Sequence, residues 1–138
     1  MRALDAAVWE QAPQVIEQAI HSVAEPYGVG VQVSYTRGVP PVVNDGGCSR
    51  LLAGAAQSVV GPDSLSETEQ SLGGEDFAWY LSGPAPTPGA LARLGVRRPG
   101  DPVWRDLHQG SFDVDERAIG IGARLLAATA LLGLLSLS

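Results

Sequence analysis

The chain has 138 residues, 45% hydrophobic and 17% charged, with 15 acidic residues against nine basic ones and a formal net charge of −6. Such a chain is long and apolar enough to bury a core of ordinary size, which excludes a disordered tail. The nine basic residues are all Arg, and their one small group is Arg93, Arg97, Arg98 and Arg105. That excludes a nucleic-acid surface, which needs clustered cations to neutralise phosphates.

Met1-Arg2-Ala3-Leu4-Asp5 lacks the basic-then-apolar order of a signal peptide, and the lone Cys48 has no internal disulfide partner. Both point to the cytoplasm. Arg2 to Leu4 reads as the end of a strand and Asp5 as a helix N-cap. Trp9, Val15, Ile16, Ala19, Ile20 and Val23 then recur at helical spacing until Pro26 and Gly28, with Pro13 expected to kink or restart the helix. Val29, Val31, Val33 and Tyr35 alternate with Gly30, Gln32, Ser34 and Thr36, the period of a half-buried strand. Paired Pro40 and Pro41 and the turn residues Asn44 to Gly47 form a stiff connector, where a domain boundary is expected.

Cys48 to Val60 reads as a small-residue helix stopped by Gly61-Pro62, and Ser64 to Thr68 as a short strand. Gly73-Gly74-Glu75-Asp76 opens a short helix over Ser71 to Leu81. A glycine pair there either aims backbone amides at an anion or makes an ordinary tight turn with acids favouring the helix dipole. A proline-rich loop (Ser82 to Gly89), a strand (Ala90 to Val96) and a second loop (Arg97 to Arg105) lead to Asp106-Leu107-His108-Gln109-Gly110-Ser111-Phe112-Asp113-Val114-Asp115-Glu116. His108 is a fitting borderline ligand for a divalent metal, with Asp106 placed to hold its other nitrogen, although a solvated or capping histidine fits the same spacing. A long apolar helix follows from near Asp115. Its stretch Leu125 to Ser138 is uncharged but shorter than the roughly 20 residues of a membrane span, so a packed terminal helix and no membrane association are expected.

Gly73-Gly74-Glu75-Asp76-Phe77-Ala78, followed by Leu107-His108-Gln109-Gly110-Ser111-Phe112-Asp113, resembles the C-terminal portion of the zinc aminoacylase and carboxypeptidase family of metallohydrolases, nearest the hippurate hydrolase branch. Pro40-Pro41-Val42-Val43-Asn44-Asp45 is similar to that branch's return from its small lid domain to its catalytic domain, and Arg2-Ala3-Leu4-Asp5 to a lid strand.

The resemblance implies an α/β fold. Residues 1–43 would be the C-terminal part of an α+β dimerisation (lid) domain. Residues 44–138 would be the C-terminal part of a metallopeptidase-type catalytic domain, a sheet flanked by helices. It implies a pair of divalent metals in the full-length enzyme (zinc, alternatively manganese, cobalt or nickel), an N-acyl amino acid substrate and a homodimer formed through the lid. By the same resemblance His108 is a metal ligand, Gly73, Gly74 and Glu75 line the substrate pocket, and Arg2 pairs with the substrate carboxylate. Asp76, Phe77 and Asp113 to Glu116 are framework and capping residues. The family's remaining ligands and its general-base glutamate have no counterpart here, and Cys48 lies on the wrong side of the lid to be a ligand. The expectation is therefore a fragment of an amidohydrolase, inactive as the isolated chain. The alternatives are a non-catalytic association or decoy subunit and an unrelated small α/β binding module.

Overall fold

The computed structural model describes residues 2–136, so Met1 and the last two residues of the expected terminal helix lie outside the described residues. Among the described residues the regular structure is four α-helices, α1 Ala6–Ala24, α2 Gly46–Val60, α3 Ala78–Ser82 and α4 Arg117–Ser136, with short 3-10 turns at Glu25–Tyr27 and Pro62–Ser64. Their ends follow from local chemistry. Asp5 accepts the Val8 N–H at 2.9 Å to cap α1, and Asp45 accepts the Cys48 N–H at 2.8 Å to cap α2. Gly61, at φ +111°, ends α2 in a conformation open to glycine alone, and its N–H donates to the Gln57 carbonyl. Pro13 neither breaks nor restarts α1, which runs through it. The cost is the amide that would have reached the Trp9 carbonyl.

The expected α/β sheet does not form. Among the described residues there are no strands, so the sheets expected of both the lid and the catalytic domain are absent, as are the strands at Arg2 to Leu4, 29–36, Ser64 to Thr68 and Ala90 to Val96. The physical reason shows best at 29–36. Val31, Val33 and Tyr35 are half-buried while their neighbours are exposed, so the alternation exists as an extended path. A strand also needs a neighbouring backbone to fill its hydrogen bonds, and nothing among the described residues pairs with this one. Periodicity reports which side of a segment is apolar, not whether a partner is present.

Contacts divide the chain into two compact units. The first comprises Met1–Asn44 and Glu69–Gly89. Trp9 is its one large buried side chain, 8% exposed, beside buried Ala12, Pro40 and Ala78. The Trp79 ring meets Trp9 edge-on, with centroids 6.2 Å apart, and the Arg37 guanidinium stacks 4.6 Å from the Trp9 ring. Arg37 also pairs with the Glu10 carboxylate at 2.7 Å, so three separate stretches meet on one indole. Further along α1, Ile16, Ala19, Ile20, Val23 and Ala24 line an open apolar groove of about 520 Å³ with Tyr27 and Val31 beyond the helix.

The second unit comprises Asp45–Thr68 and Ala90–Ser138, with α2 packed along α4. Small residues let the helices approach: Ala55 is fully buried, and a Cβ at Gly133 would stand 3.9 Å from Leu51. The rest of α4 faces outward, with Ile119, Leu126, Leu131 and Leu134 each more than 60% exposed. This 20-residue helix is long and apolar enough to cross a membrane by length and composition, a test that the core helix of a soluble domain also passes.

Candidate functional site

Residues Arg97 to Val114 form a loop closed at its base, where the Asp115 N–H donates to the Val96 carbonyl at 2.7 Å. Near its start Asp101 collects three bonds. Its N–H donates to the Arg98 carbonyl at 3.1 Å, its Oδ1 accepts the Val103 N–H at 2.9 Å, and its Oδ2 accepts from Arg105 at 2.6 Å. At the other end Asp115 forms a forked ion pair with Arg117, accepting from Nε at 2.9 and 3.0 Å, while its Oδ1 takes the Arg117 N–H at 3.1 Å. A small cavity of about 30 Å³, room for one or two waters, lies between Asp101, Arg98, Arg105, Asp113 and Asp115. The Arg117 guanidinium holds the Asp115 carboxyl down to about 2. The Val103 amide, then Arg105, hold Asp101 below the usual carboxylate range.

His108 stands in the turn of this loop, exposed, with φ +65°. Among the described residues it is the one non-glycine with positive φ. A left-handed backbone is uncommon for a residue with a Cβ, and histidine tolerates it better than most. Asp106 does not hold the imidazole. Its Oδ1 accepts the N–H of Leu107 at 2.8 Å, and no hydrogen bond joins it to His108. The described residues bring no group of three or more His, Cys, Asp or Glu together around a common point. A zinc ion takes three or four protein donors, so the described residues do not by themselves fit a metal.

The other sequence-derived site residues lie in the first unit, where two of the stretches meet. The Arg2 guanidinium donates to the Leu72 carbonyl at 2.9 Å, directly ahead of Gly73 and Gly74. The Gly73 N–H donates to Ser71 Oγ at 3.0 Å, so that amide is engaged within its own turn. The Glu75 carbonyl accepts the Ala78 N–H at the start of α3. Gly74 is held tightly: a Cβ there would lie 2.8 Å from Val39 Cγ2. Gly74→Ala is therefore expected to cost about 1 kcal/mol, the low end for overpacking because the site is exposed. Adding Val39→Ala should recover most of it. A double-mutant cycle by urea denaturation checks this, and strictly additive losses would show that the two residues do not touch.

Cys48 is half-buried in the first turn of α2, and burial followed by the nearby Asp45 carboxylate pushes its thiol up. Such a thiol is a poor nucleophile and a poor metal ligand. Sequence reasoning missed the Asp101–Arg105 pair, although an acid four residues ahead of an arginine was visible between Asp101 and Arg105, and it missed Asp45 as the cap of α2.

The sequence pattern of peptidase family M20/M25/M40 matches residues 2–132. The chain is 47% identical over 128 residues to a Rhodococcus jostii protein named as a glutamate–cysteine ligase, covering 93% of this chain and 16% of that protein. It is 38% identical over 131 residues to a Synechocystis protein named as a hydrolase, covering 94% of this chain and 33% of the other. It is 29% identical over 119 residues to the N-acetyl-L-cysteine deacetylase of Bacillus subtilis, covering 86% and 26%. The chain thus spans between about a sixth and a third of the length of these relatives. No solved structure matches it.

Proposed function

The chain belongs to peptidase family M20/M25/M40, a family of hydrolases that is generally metal-dependent, and on that premise we propose that it contributes the His108-bearing part of an enzyme that hydrolyses the amide of N-acyl amino acids. The observation that carries the proposal is His108 itself. It stands exposed in the turn of a closed loop, with no side-chain partner competing for its imidazole, at the position where the resemblance calls for a metal ligand. The other donors, and the general base, would come from residues outside this chain, so the isolated chain is not the hydrolytic unit.

Two of the relatives point to one amino acid. One is named as a glutamate–cysteine ligase and another as an N-acetyl-L-cysteine deacetylase, so cysteine stands in both names. We take an N-acylated cysteine as the first substrate class to try.

The test uses the protein purified from its source cell, at its native length, supplied with Zn²⁺ or Mn²⁺ and offered N-acetyl and N-benzoyl amino acids. Release of free amino acid, fastest for the cysteine derivatives, is the expected result. No release with either metal would overturn the hydrolase reading and leave a non-catalytic subunit that associates through its exposed apolar faces.

A further inference from the structure

A residue with a Cβ keeps a left-handed backbone only where its surroundings hold it there. His108 is exposed and, among the described residues, makes no hydrogen bond of its own, so we look for the restraint in the chain on either side. On the C-terminal side the Phe112 N–H closes a turn onto the Gln109 carbonyl at 3.0 Å. On the N-terminal side the Leu107 N–H is held locally by the Asp106 carboxylate at 2.8 Å, and the nearest side chain tied to a more distant part of the loop is Arg105, bonded at 2.6 Å to Asp101. Asp101 is fixed in turn by the Arg98 carbonyl and the Val103 amide. The side chains of Asp101 and Arg105 are 20% and 30% exposed, so the pair is largely shielded from water, unlike the ion pair of Arg37 and Glu10 at 40% and 61%. Shielding is what lets an ion pair hold a geometry instead of exchanging with solvent.

We propose that Asp101 is a positioning residue for His108: its two carboxylate bonds, to the Val103 amide and the Arg105 guanidinium, fix the approach of the loop and hold the His108 backbone left-handed with its imidazole exposed. The inference rests on the reading of His108 as the functional residue. Its geometric content stands on the loop alone. Asp101 touches no substrate and acts only through the chain between Arg105 and His108.

The 138-residue chain is used, with isotope labelling, and the backbone couplings that report the sign of φ at His108 are measured beside amide exchange at Val103. The wild-type chain is expected to show positive φ. Asp101→Ala should replace it with an averaged value and speed exchange at Val103 by at least about tenfold, the effect of losing a hydrogen bond to a charged acceptor. Amides of α2 and α4 should keep their shifts, which separates positioning from general loss of structure. Asp101→Asn retains an oxygen for the Val103 amide but no charge for Arg105, and should fall between the two. If Asp101→Ala unfolds the unit, Asp101→Asn decides: φ at His108 as uniformly positive as in the wild type overturns the proposal. Unchanged geometry in both variants overturns it while leaving the hydrolase reading intact. A native protein that hydrolyses no N-acyl amino acid, with the Asp101 effect confirmed, removes the hydrolase reading and leaves the positioning.

Discussion

Trp9→Ala is expected to remove about 3–5 kcal/mol of stability, the range for deleting a buried large aromatic side chain. A domain's whole margin is about 5–15 kcal/mol, so the first unit should be mostly unfolded or loosely packed at physiological temperature. The reason is the absence of any substitute. The other buried hydrophobic residues of that unit, Ala12 and Ala78, are too small to hold it, and Trp79 and Arg37 both rest on the Trp9 ring. Trp79→Ala should cost much less, since Trp79 is 47% exposed. Urea denaturation followed by near-ultraviolet circular dichroism separates the two variants. A loss below about 1 kcal/mol for Trp9→Ala would mean that the indole is not the centre of the unit.

Helices were readable in this sequence because their information is local. Asp5 as a cap, the apolar spacing of α1, the Gly61-Pro62 stop of α2 and the apolar run of α4 all act within a turn or two of where they sit. The sequence places Asp45 in a turn, and it caps α2 from there, so that helix starts at Gly46 and not at Cys48. The short helix after the glycine pair starts later than its sequence predicts, at Ala78, once Phe77 has turned the chain.

Strands failed for the converse reason. Val31, Val33 and Tyr35 carry a correct alternation, but a sheet is a property of two segments. The exposed apolar residues of α1 and α4 tell the same story from the packing side. Val23 is 70% exposed and Leu126 71%, on helices whose spacing is that of buried faces. At about 25 cal/mol per Å² such faces favour association, and covering them is worth several kcal/mol per helix.

The candidate site was legible in part. Arg2 and the glycine pair were picked out as separate features, and the Arg2 bond to the Leu72 carbonyl joins them. That contact gives Arg2 a structural task, tying the N-terminal stretch to the carbonyl directly ahead of Gly73 and Gly74. His108 was legible as a residue, but not its left-handed backbone, which depends on bonds seven residues upstream at Asp101.

Replacing His108 with glycine should move activity and stability in opposite directions. In the native protein, His108→Ala and His108→Gly are each expected to lower N-acyl amino acid hydrolysis by about 100-fold or more, since even residues that only support a metal ligand cost about 10–100-fold. The two should differ in stability. Glycine accepts φ +65° without strain and removes a backbone cost of about 1–2 kcal/mol, offset in part by its greater freedom in the unfolded chain. His108→Gly should therefore melt at or above the wild-type temperature, while His108→Ala, which keeps its Cβ at the same φ, should melt at or below it. The imidazole is exposed, so neither change removes a buried side chain. Full turnover in His108→Gly would remove His108 from the chemistry. A thermal loss in His108→Gly larger than in His108→Ala would show instead that the backbone is not left-handed there. A gain in stability joined to a loss of activity would identify His108 as a residue kept at a structural cost for what its imidazole does.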